Sequence, residues 1–282
     1  MPELPEVETV RRGLECQTTG LLIHRVSVLR ARAVANPADP QVFCLALQDC
    51  RVTQWRRRGK YLIASLRDRE GGDGGCWGVH LRMTGQFLWL KQPGPPCRHT
   101  RVRVFDPHGH ELRFVDVRSF GQMWWVPPGV ADEAVISGLS RLGPEPFAAE
   151  FSVDWLREQM RGSRRPIKNA LLDQTLVAGV GNIYADESLF AAGIRPHTPS
   201  GQLRPLQLQQ LRDALVEVLQ TSIGAGGTTF SDFRDLSGTN GNYGGQAWVY
   251  RRSGEPCRRC GTTIRRERLA GRSSHWCPFC QS

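Results

Sequence analysis

The chain has 282 residues, 40% of them hydrophobic and 23% charged, the balance of a folded globular protein rather than a disordered one. Lys and Arg together number 37 against 27 Asp and Glu, a formal net charge of +10, which suits a polyanionic partner. No uncharged apolar run approaches the ~18 residues of a membrane span, and the opening MPELPEVETVRR has no signal-peptide core. A soluble intracellular protein of one large or two smaller domains is expected.

The first predicted element is an amphipathic helix, with Val7, Val10 and Leu14 on one face and Pro5 in its first turn. Short strands are then predicted at Leu21–Leu29, Arg51–Arg56, Lys60–Leu66, Cys76–Leu81, Gln86–Leu90, Arg101–Phe105, Glu111–Val117 and Gln122–Val126. Turn signals separate several of them, at Glu70–Gly75, Pro93–Pro96, Asp106–Gly109 and Pro127–Gly129. Many short strands with Gly/Pro turns predict a sandwich or barrel. The Gly71–Gly75 stretch suggests an enlarged turn of unknown use.

After Gly143-Pro-Glu-Pro146 the pattern becomes helical. Ser152 is placed to cap a helix, and others are predicted near Ile167–Thr175, from Asn182 to Gly193, and over about Pro205–Ser222. From Gly224 to Gln246 the Gly, Ser, Thr and Asn content predicts a loop.

The last segment holds four cysteines in a C-x2-C-x16-C-x2-C spacing: Cys257, Cys260, Cys277 and Cys280. Two such knuckles are the framework of a tetrahedral four-cysteine zinc site. Two disulfides would be the alternative, but Cys16, Cys44, Cys50, Cys76 and Cys97 are scattered, which speaks for a reducing compartment. A site with four cysteine ligands is closed, so its zinc would be structural. From Val249 to Ser282 there are eight Arg and two Glu, a net +6, suited equally to a duplex backbone or to a solvated face.

Only three basic residues are lysines, Lys60, Lys91 and Lys168; the other 34 are Arg. Lys can release its proton where Arg cannot, so a retained Lys is a candidate for proton transfer, although chance survival on a solvated face is the better explanation of any one of them. At the N-terminus, removal of Met1 would leave Pro2 with a free secondary amine. An α-amino group has a pKa near ~8, so much of it is neutral at physiological pH and able to attack carbon. Glu3, Glu6 and Glu8 follow, and a neighbouring carboxylate can shuttle protons. On residue type alone, service to the dipole of the first helix is the favoured reading of these acids.

Seven motifs in order carry more than residue type. They are Met1-Pro-Glu-Leu-Pro-Glu-Val-Glu-Thr-Val10, Arg56-Arg-Arg-Gly-Lys-Tyr61, His80-Leu-Arg-Met-Thr-Gly85, Asp116-Val-Arg-Ser-Phe-Gly121, Leu142-Gly-Pro-Glu-Pro146, Val180-Gly-Asn-Ile-Tyr184 and the cysteine segment. With them the chain resembles, over essentially its full length, the bacterial formamidopyrimidine-DNA glycosylase family. Leu4-Pro-Glu-Val-Glu is similar to the 8-oxoguanine branch rather than to the endonuclease VIII branch, whose opening typically has Gly after the first Glu.

The resemblance implies an α+β, multidomain fold: an N-terminal β-sandwich with flanking helices and a C-terminal helix–two-turn–helix domain with a four-cysteine zinc finger. The expected divisions are a catalytic domain over 2–135, a hinge over 136–150, a helix–two-turn–helix domain over 151–230, a lesion-recognition loop over 231–248 and a zinc finger over 249–282. The implied enzyme is a bifunctional glycosylase and abasic-site lyase for oxidised purines, a cytoplasmic, nucleoid-associated monomer with one structural Zn2+, acting on double-stranded DNA. Pro2 matches the nucleophile that attacks C1′, Glu3 the proton shuttle for sugar-ring opening, and Lys60 the β-elimination lysine. Arg272 matches the residue credited with δ-elimination; its high pKa suits phosphate positioning better than proton donation.

A stacked base must be extruded before chemistry, and side chains fill the hole it leaves. Met83, Arg118 and Phe120 match the family's fillers, with Arg118 directed to the orphaned cytosine. By residue type alone Met83 and Phe120 would pack as core at strand ends. Asn182, after Gly179-Val-Gly181, suits a phosphate at a helix start as well as a plain N-cap. His80, His99, Arg164 and Lys168 match positions at or near DNA. Two other readings remain in view: an endonuclease VIII-like preference for oxidised pyrimidines, and a non-catalytic zinc-ribbon DNA-binding protein.

Overall fold

The computed structural model describes residues 1–228 and 243–282. The chain forms two compact units. One comprises Met1–Ser140 with the stretch that begins at Gly226, and the other comprises Arg141–Ala225 and Tyr243–Ser282. No helix among the described residues is long and apolar enough to cross a membrane.

In the first unit, helix α1 (Leu4–Thr18) buries Leu4, Val7, Val10 and Leu14, the face that the spacing predicts. Strands β1 (Arg25–Val28) and β2 (Val34–Asn36) precede helix α2 (Pro40–Leu47). Seven more strands follow: β3 (Arg51–Arg58), β4 (Tyr61–Arg67), β5 (Asp73–His80), β6 (Gly85–Leu90), β7 (Thr100–Phe105), β8 (Glu111–Asp116) and β9 (Gln122–Val126). They build a four-stranded sheet in the order β1-β7-β8-β6 and a five-stranded sheet in the order β2-β9-β5-β4-β3. The inner faces meet in one apolar core. Trp77 of the larger sheet stands edge-on to Phe87 of the smaller at 6.0 Å between ring centres, and Trp55 lies 5.4 Å from Trp77. Burial of such rings dominates sandwich energetics, at roughly 1.5–3 kcal/mol for each large apolar side chain.

Three sequence expectations shift. The strand expected over Leu21–Leu29 is ordered as β1 only from Arg25. Elements β2 and α2 lie outside the predicted elements, although Asp39 caps α2 by accepting the Gln41 N–H at 2.8 Å and Pro40 opens it. The glycine run is partly strand, not all turn: β5 begins at Asp73, and Gly75 (φ +79°) sits where a Cβ would lie 2.1 Å from the Val126 carbonyl oxygen. A short helix α3 (Asp132–Val135) completes the unit and is followed by Ile136, which packs beside Gly78.

In the second unit, helices α4 (Val153–Gln159), α5 (Ile167–Leu171), α6 (Asn182–Ala191) and α7 (Pro205–Gly224) share one apolar core. Ser152 caps α4, its hydroxyl accepting the Trp155 N–H at 3.1 Å. Helix α5 stops at Leu171, short of the expected Thr175, because Asp173 turns back to accept the Thr175 N–H at 3.0 Å and its hydroxyl at 2.8 Å. Strands β10 (Arg265–Leu269) and β11 (Arg272–Trp276) form a hairpin in the cysteine segment. Its two-residue turn, Ala270-Gly271, has both φ values positive, as tight hairpins require. Of the loop expected over 231–248, residues 231–242 lie outside the described residues.

Candidate functional site

Glu3 is the N-cap of α1, and its backbone N–H donates to Glu6 Oε2 at 2.8 Å. Pro2, Glu3 and Glu6 are all buried. The other Glu6 oxygen accepts the Thr228 N–H at 2.8 Å. Glu6 is thereby committed to backbone groups at the start of the helix and at Thr228. Met1 is 47% exposed and lines a pocket of about 380 Å3 with Arg32, Arg82, Met83, Ser119 and Phe120. Met1 is bonded to the Pro2 nitrogen, so its removal frees that nitrogen.

Lys60 stands in the tight turn between β3 and β4, after Gly59 at φ +55°. Arg57 braces the turn, donating from Nη1 to the Gly59 carbonyl at 2.9 Å and from Nε to Glu8 Oε2 at 3.4 Å. Glu8 belongs to α1, so one guanidinium ties the Lys60 turn to the helix that carries Pro2 and Glu3. Arg11 also donates to Glu8, from Nη2 at 3.1 Å. Burial raises the Glu8 carboxyl, but the surrounding guanidiniums outweigh it and hold the group below its ordinary pKa.

His80 ends β5 opposite Tyr61, whose ring meets it edge-on at 4.6 Å. It is 7% exposed, and its Nδ1 accepts the Arg82 N–H at 2.9 Å. Burial, then the charges of Arg82 and Lys60, press its pKa down to about 3. The imidazole is therefore neutral at physiological pH, and with Nδ1 accepting, its other nitrogen carries the proton.

Met83 and Phe120 are not core. They are 36% and 39% exposed, on neighbouring turns, and Arg118 stands 4.8 Å over the Phe120 ring. Each apolar residue follows a non-glycine residue in the left-handed region, Arg82 at φ +53° and Ser119 at φ +54°. Such backbone costs roughly 1–3 kcal/mol per residue and persists only where the surroundings impose it. His99 is half-buried and accepts Arg98 Nε at 2.8 Å through its Nε2.

The second unit carries the remaining candidates. Asn182 is the first residue of α6, and its buried Oδ1 has no hydrogen-bond partner among the described residues. A polar atom left open at a helix N-terminus is a group that a bound phosphate can complete once the amide turns to offer its N–H. Arg164 is exposed, and Arg272 is exposed at the start of β11, beside Arg265, Arg266 and Arg268 on the hairpin.

Lys168 departs from expectation. Its side chain is fully buried, 2.7 Å from Asp186 Oδ1, and its ammonium donates to the Ser273 carbonyl at 2.5 Å. It lies on the inward face of α5 with Ile167, Ala170 and Leu171, so it ties the hairpin to the helices and is not a surface phosphate contact. The acidic partners that make this possible are absent from the sequence expectations. Asp186 also accepts the His275 N–H at 2.9 Å, and Glu187 accepts the N–H groups of Trp248, Val249 and Tyr250. Adjacent acids inside an otherwise apolar helix are the available signal.

The four cysteine sulfurs converge within 4.8 Å of one another. The Cys257–Cys280 and Cys260–Cys277 sulfurs are 3.9 and 3.5 Å apart. A tetrahedral zinc with bonds of about 2.3 Å sets sulfurs about 3.75 Å apart, so the residues fit the ion. The Arg259 and Cys280 N–H groups donate to Cys257 and Cys277 Sγ at 3.4 and 3.5 Å, the support thiolates need.

Three family models match the chain in order. Residues 1–123 match the formamidopyrimidine-DNA glycosylase N-terminal domain, 142–234 its H2TH domain, and 254–282 the zinc finger found in FPG and IleRS. A curated relative from Parasynechococcus marenigrum, named formamidopyrimidine-DNA glycosylase, is 66% identical over 281 residues and covered completely, as is this chain. A solved Lactococcus lactis FPG variant in complex with Fapy-dG-containing DNA is 35% identical, with a TM-score of 0.90 over 100% of both chains. The Lactococcus lactis Fpg in complex with abasic-site DNA is 36% identical, with a TM-score of 0.90 over 99% of both chains.

Proposed function

The chain belongs to the formamidopyrimidine-DNA glycosylase family, and from that premise we propose how its residues divide the reaction. It is a DNA base-excision repair glycosylase for oxidised purines, with abasic-site lyase activity and a structural zinc held by Cys257, Cys260, Cys277 and Cys280. The zinc, when bound, supplies folding energy to the finger and no step of the reaction.

Pro2 supplies the nucleophile. Its nitrogen lone pair forms a bond to C1′ as the C1′–base bond breaks and the oxidised purine leaves with a proton. Glu3 passes a proton to the ring oxygen, which opens the sugar and leaves an iminium between Pro2 and C1′. A proton is then removed from C2′, and the 3′ phosphate departs; Lys60 assists this β-elimination. Loss of the 5′ phosphate follows, with Arg272 steadying phosphate charge. Met83 and Phe120 fill the space of the extruded nucleotide while Arg118 meets the opposite cytosine. Asn182 and Arg164 contact the backbone, and His80 and His99 lie where the chain approaches the DNA.

The observation that carries this reading is the brace at the N-terminus. Pro2 and Glu3 open the helix whose Glu8 holds Arg57 and, through it, the Lys60 turn. We take residues 2–135 as the catalytic domain, 136–150 as the hinge, 151–230 as the helix–two-turn–helix domain, 231–248 as the lesion-recognition loop and 249–282 as the zinc finger. The setting is the bacterial cytoplasm, at the nucleoid through DNA, and the enzyme acts as a monomer. Endonuclease VIII-like specificity and a non-catalytic zinc-ribbon role are not favoured. Matched duplexes carrying 8-oxoguanine or thymine glycol, incubated with borohydride, test the reading. Faster cutting and trapping on the 8-oxoguanine duplex supports it; faster cutting of thymine glycol, or no trapping on either, contradicts it.

A further inference from the structure

We propose that Asp116 is a positioning residue that locks the Met83 turn and the Arg118–Phe120 turn into one intercalating unit. The inference rests on the reading of those three side chains as the ones that replace an extruded nucleotide.

Asp116 ends β8 with its side chain wholly buried. One carboxylate oxygen, Oδ1, accepts the Thr84 hydroxyl at 2.5 Å and the Arg118 N–H at 3.2 Å. The other, Oδ2, accepts the Gly121 N–H at 2.7 Å. Thr84 follows Met83, and Gly121 follows Phe120. The Thr84 hydroxyl oxygen in turn accepts the Arg118 N–H at 3.0 Å, so the two turns are joined directly as well as through the carboxylate.

The backbone of Asp116 is equally committed. Its N–H donates to the His99 carbonyl at 2.9 Å, and its carbonyl accepts Arg101 Nε at 2.9 Å. Gly121 is the close approach that lets the loop fold onto the carboxylate: a Cβ there would stand 2.6 Å from Phe114 Cζ and 3.1 Å from Asp116 Oδ2. The left-handed backbone at Arg82 and Ser119 needs an outside constraint, and Asp116 is bonded to residues on the far side of each wedge.

The chemistry demands a carboxylate. An ionised Asp is acceptor-only and can take all three donors. An Asn has one acceptor oxygen, so whichever way its amide is turned the NH2 faces a backbone N–H, that of Arg118 or that of Gly121. A wedge held in its inserted geometry beforehand loses little freedom when it enters the base stack. Asp116 therefore acts where a nucleotide must be displaced from a duplex, and not where the sugar is already accessible.

The test compares single-turnover base release from an 8-oxoguanine·cytosine duplex with cleavage of a single-stranded abasic oligonucleotide, which has no stack to fill. The proteins are wild type, Asp116→Asn, Met83→Ala, Phe120→Ala and the isosteric Thr84→Val. Asp116→Asn is expected to slow duplex base release at least tenfold and to leave single-strand cleavage within twofold. Thr84→Val should show the same split at three- to tenfold, and it carries the test if Asp116→Asn fails to fold. Adding Met83→Ala to Asp116→Asn should cost little more than either change alone, because both disable one device. Equal losses on both substrates in the folded variants would mean a merely structural role and overturn the proposal. So would unchanged duplex rates in Asp116→Asn and Thr84→Val while Met83→Ala and Phe120→Ala are slow. Unchanged rates in Met83→Ala and Phe120→Ala would instead overturn the reading of the wedge itself.

Discussion

Lys168 Nζ lies 2.7 Å from Asp186 Oδ1 inside the helical unit, and neither side chain reaches solvent. Removing one partner of a buried pair leaves the other charged without compensation, at a cost of about 3–5 kcal/mol. Lys168→Ala is therefore expected to destabilise the second unit by that order in urea denaturation. Arg164→Ala, at an exposed position, should leave stability nearly unchanged, weaken DNA binding and lower the salt slope by about one. A stable Lys168→Ala protein with a reduced salt slope would return Lys168 to the DNA-facing surface.

The neutral state of His80 makes a pH prediction. Its folded pKa of about 3 lies below the ordinary value of 6.5. Between those values the unfolded chain binds more protons than the folded one, so this group makes stability fall as pH is lowered from about 6.5 toward about 3. The His80 imidazole resonances should stay flat from pH 8 to pH 5 in an NMR titration. A midpoint near 6.5 would show an imidazole free to charge and would remove the burial and the Lys60 and Arg82 charges as its controls.

Lys60 is held in a braced turn and not on a free face. Lys60→Ala is expected to slow strand nicking on abasic DNA by roughly a hundredfold or more, the scale of a lost general acid–base group. Base release from 8-oxoguanine should slow as well, with zinc content unchanged. Wild-type turnover in this variant would take Lys60 out of the mechanism.

The zinc finger should matter for binding and not for the sandwich. Cys260→Ser removes one of four ligands, so metal analysis should find less than one zinc per chain, and DNA affinity should fall at least tenfold. The Trp55–Trp77 cluster belongs to the other unit, and its near-ultraviolet circular dichroism should persist. Normal affinity in a metal-free protein would show that the finger takes no part in holding DNA.

How far the sequence shows the fold depends on the range of the interactions involved. The strands β3 to β9 are evident because short strand-prone runs and the Gly/Pro turns between them are local, and the zinc ligands because knuckle spacing is local too. Helix α2 is hidden despite Asp39 and Pro40, since its eight residues carry too little periodicity to outweigh the surrounding strands. The burial of Lys168 depends on Asp186 eighteen positions on and on a carbonyl 105 positions away, which no local pattern reveals. Asp116 is visible in the sequence only as the first residue of a motif. Its bond to Thr84 comes from the pairing of β6 with β8, in which Gly85 stands opposite Asp116, and its bond to Gly121 from the turn that follows β8. The motif resemblance places Met83 and Phe120 outside the core, where residue type alone would put them inside.

The most direct test of the account is the covalent bond itself. Wild-type enzyme is reduced with borohydride on an 8-oxoguanine duplex, digested, and the sugar-bearing peptide is sequenced by mass spectrometry. The adduct is expected on the nitrogen of Pro2, in a chain from which Met1 has been removed. An adduct on Lys60 or any other lysine, or Met1 still attached in fully active protein, would contradict it.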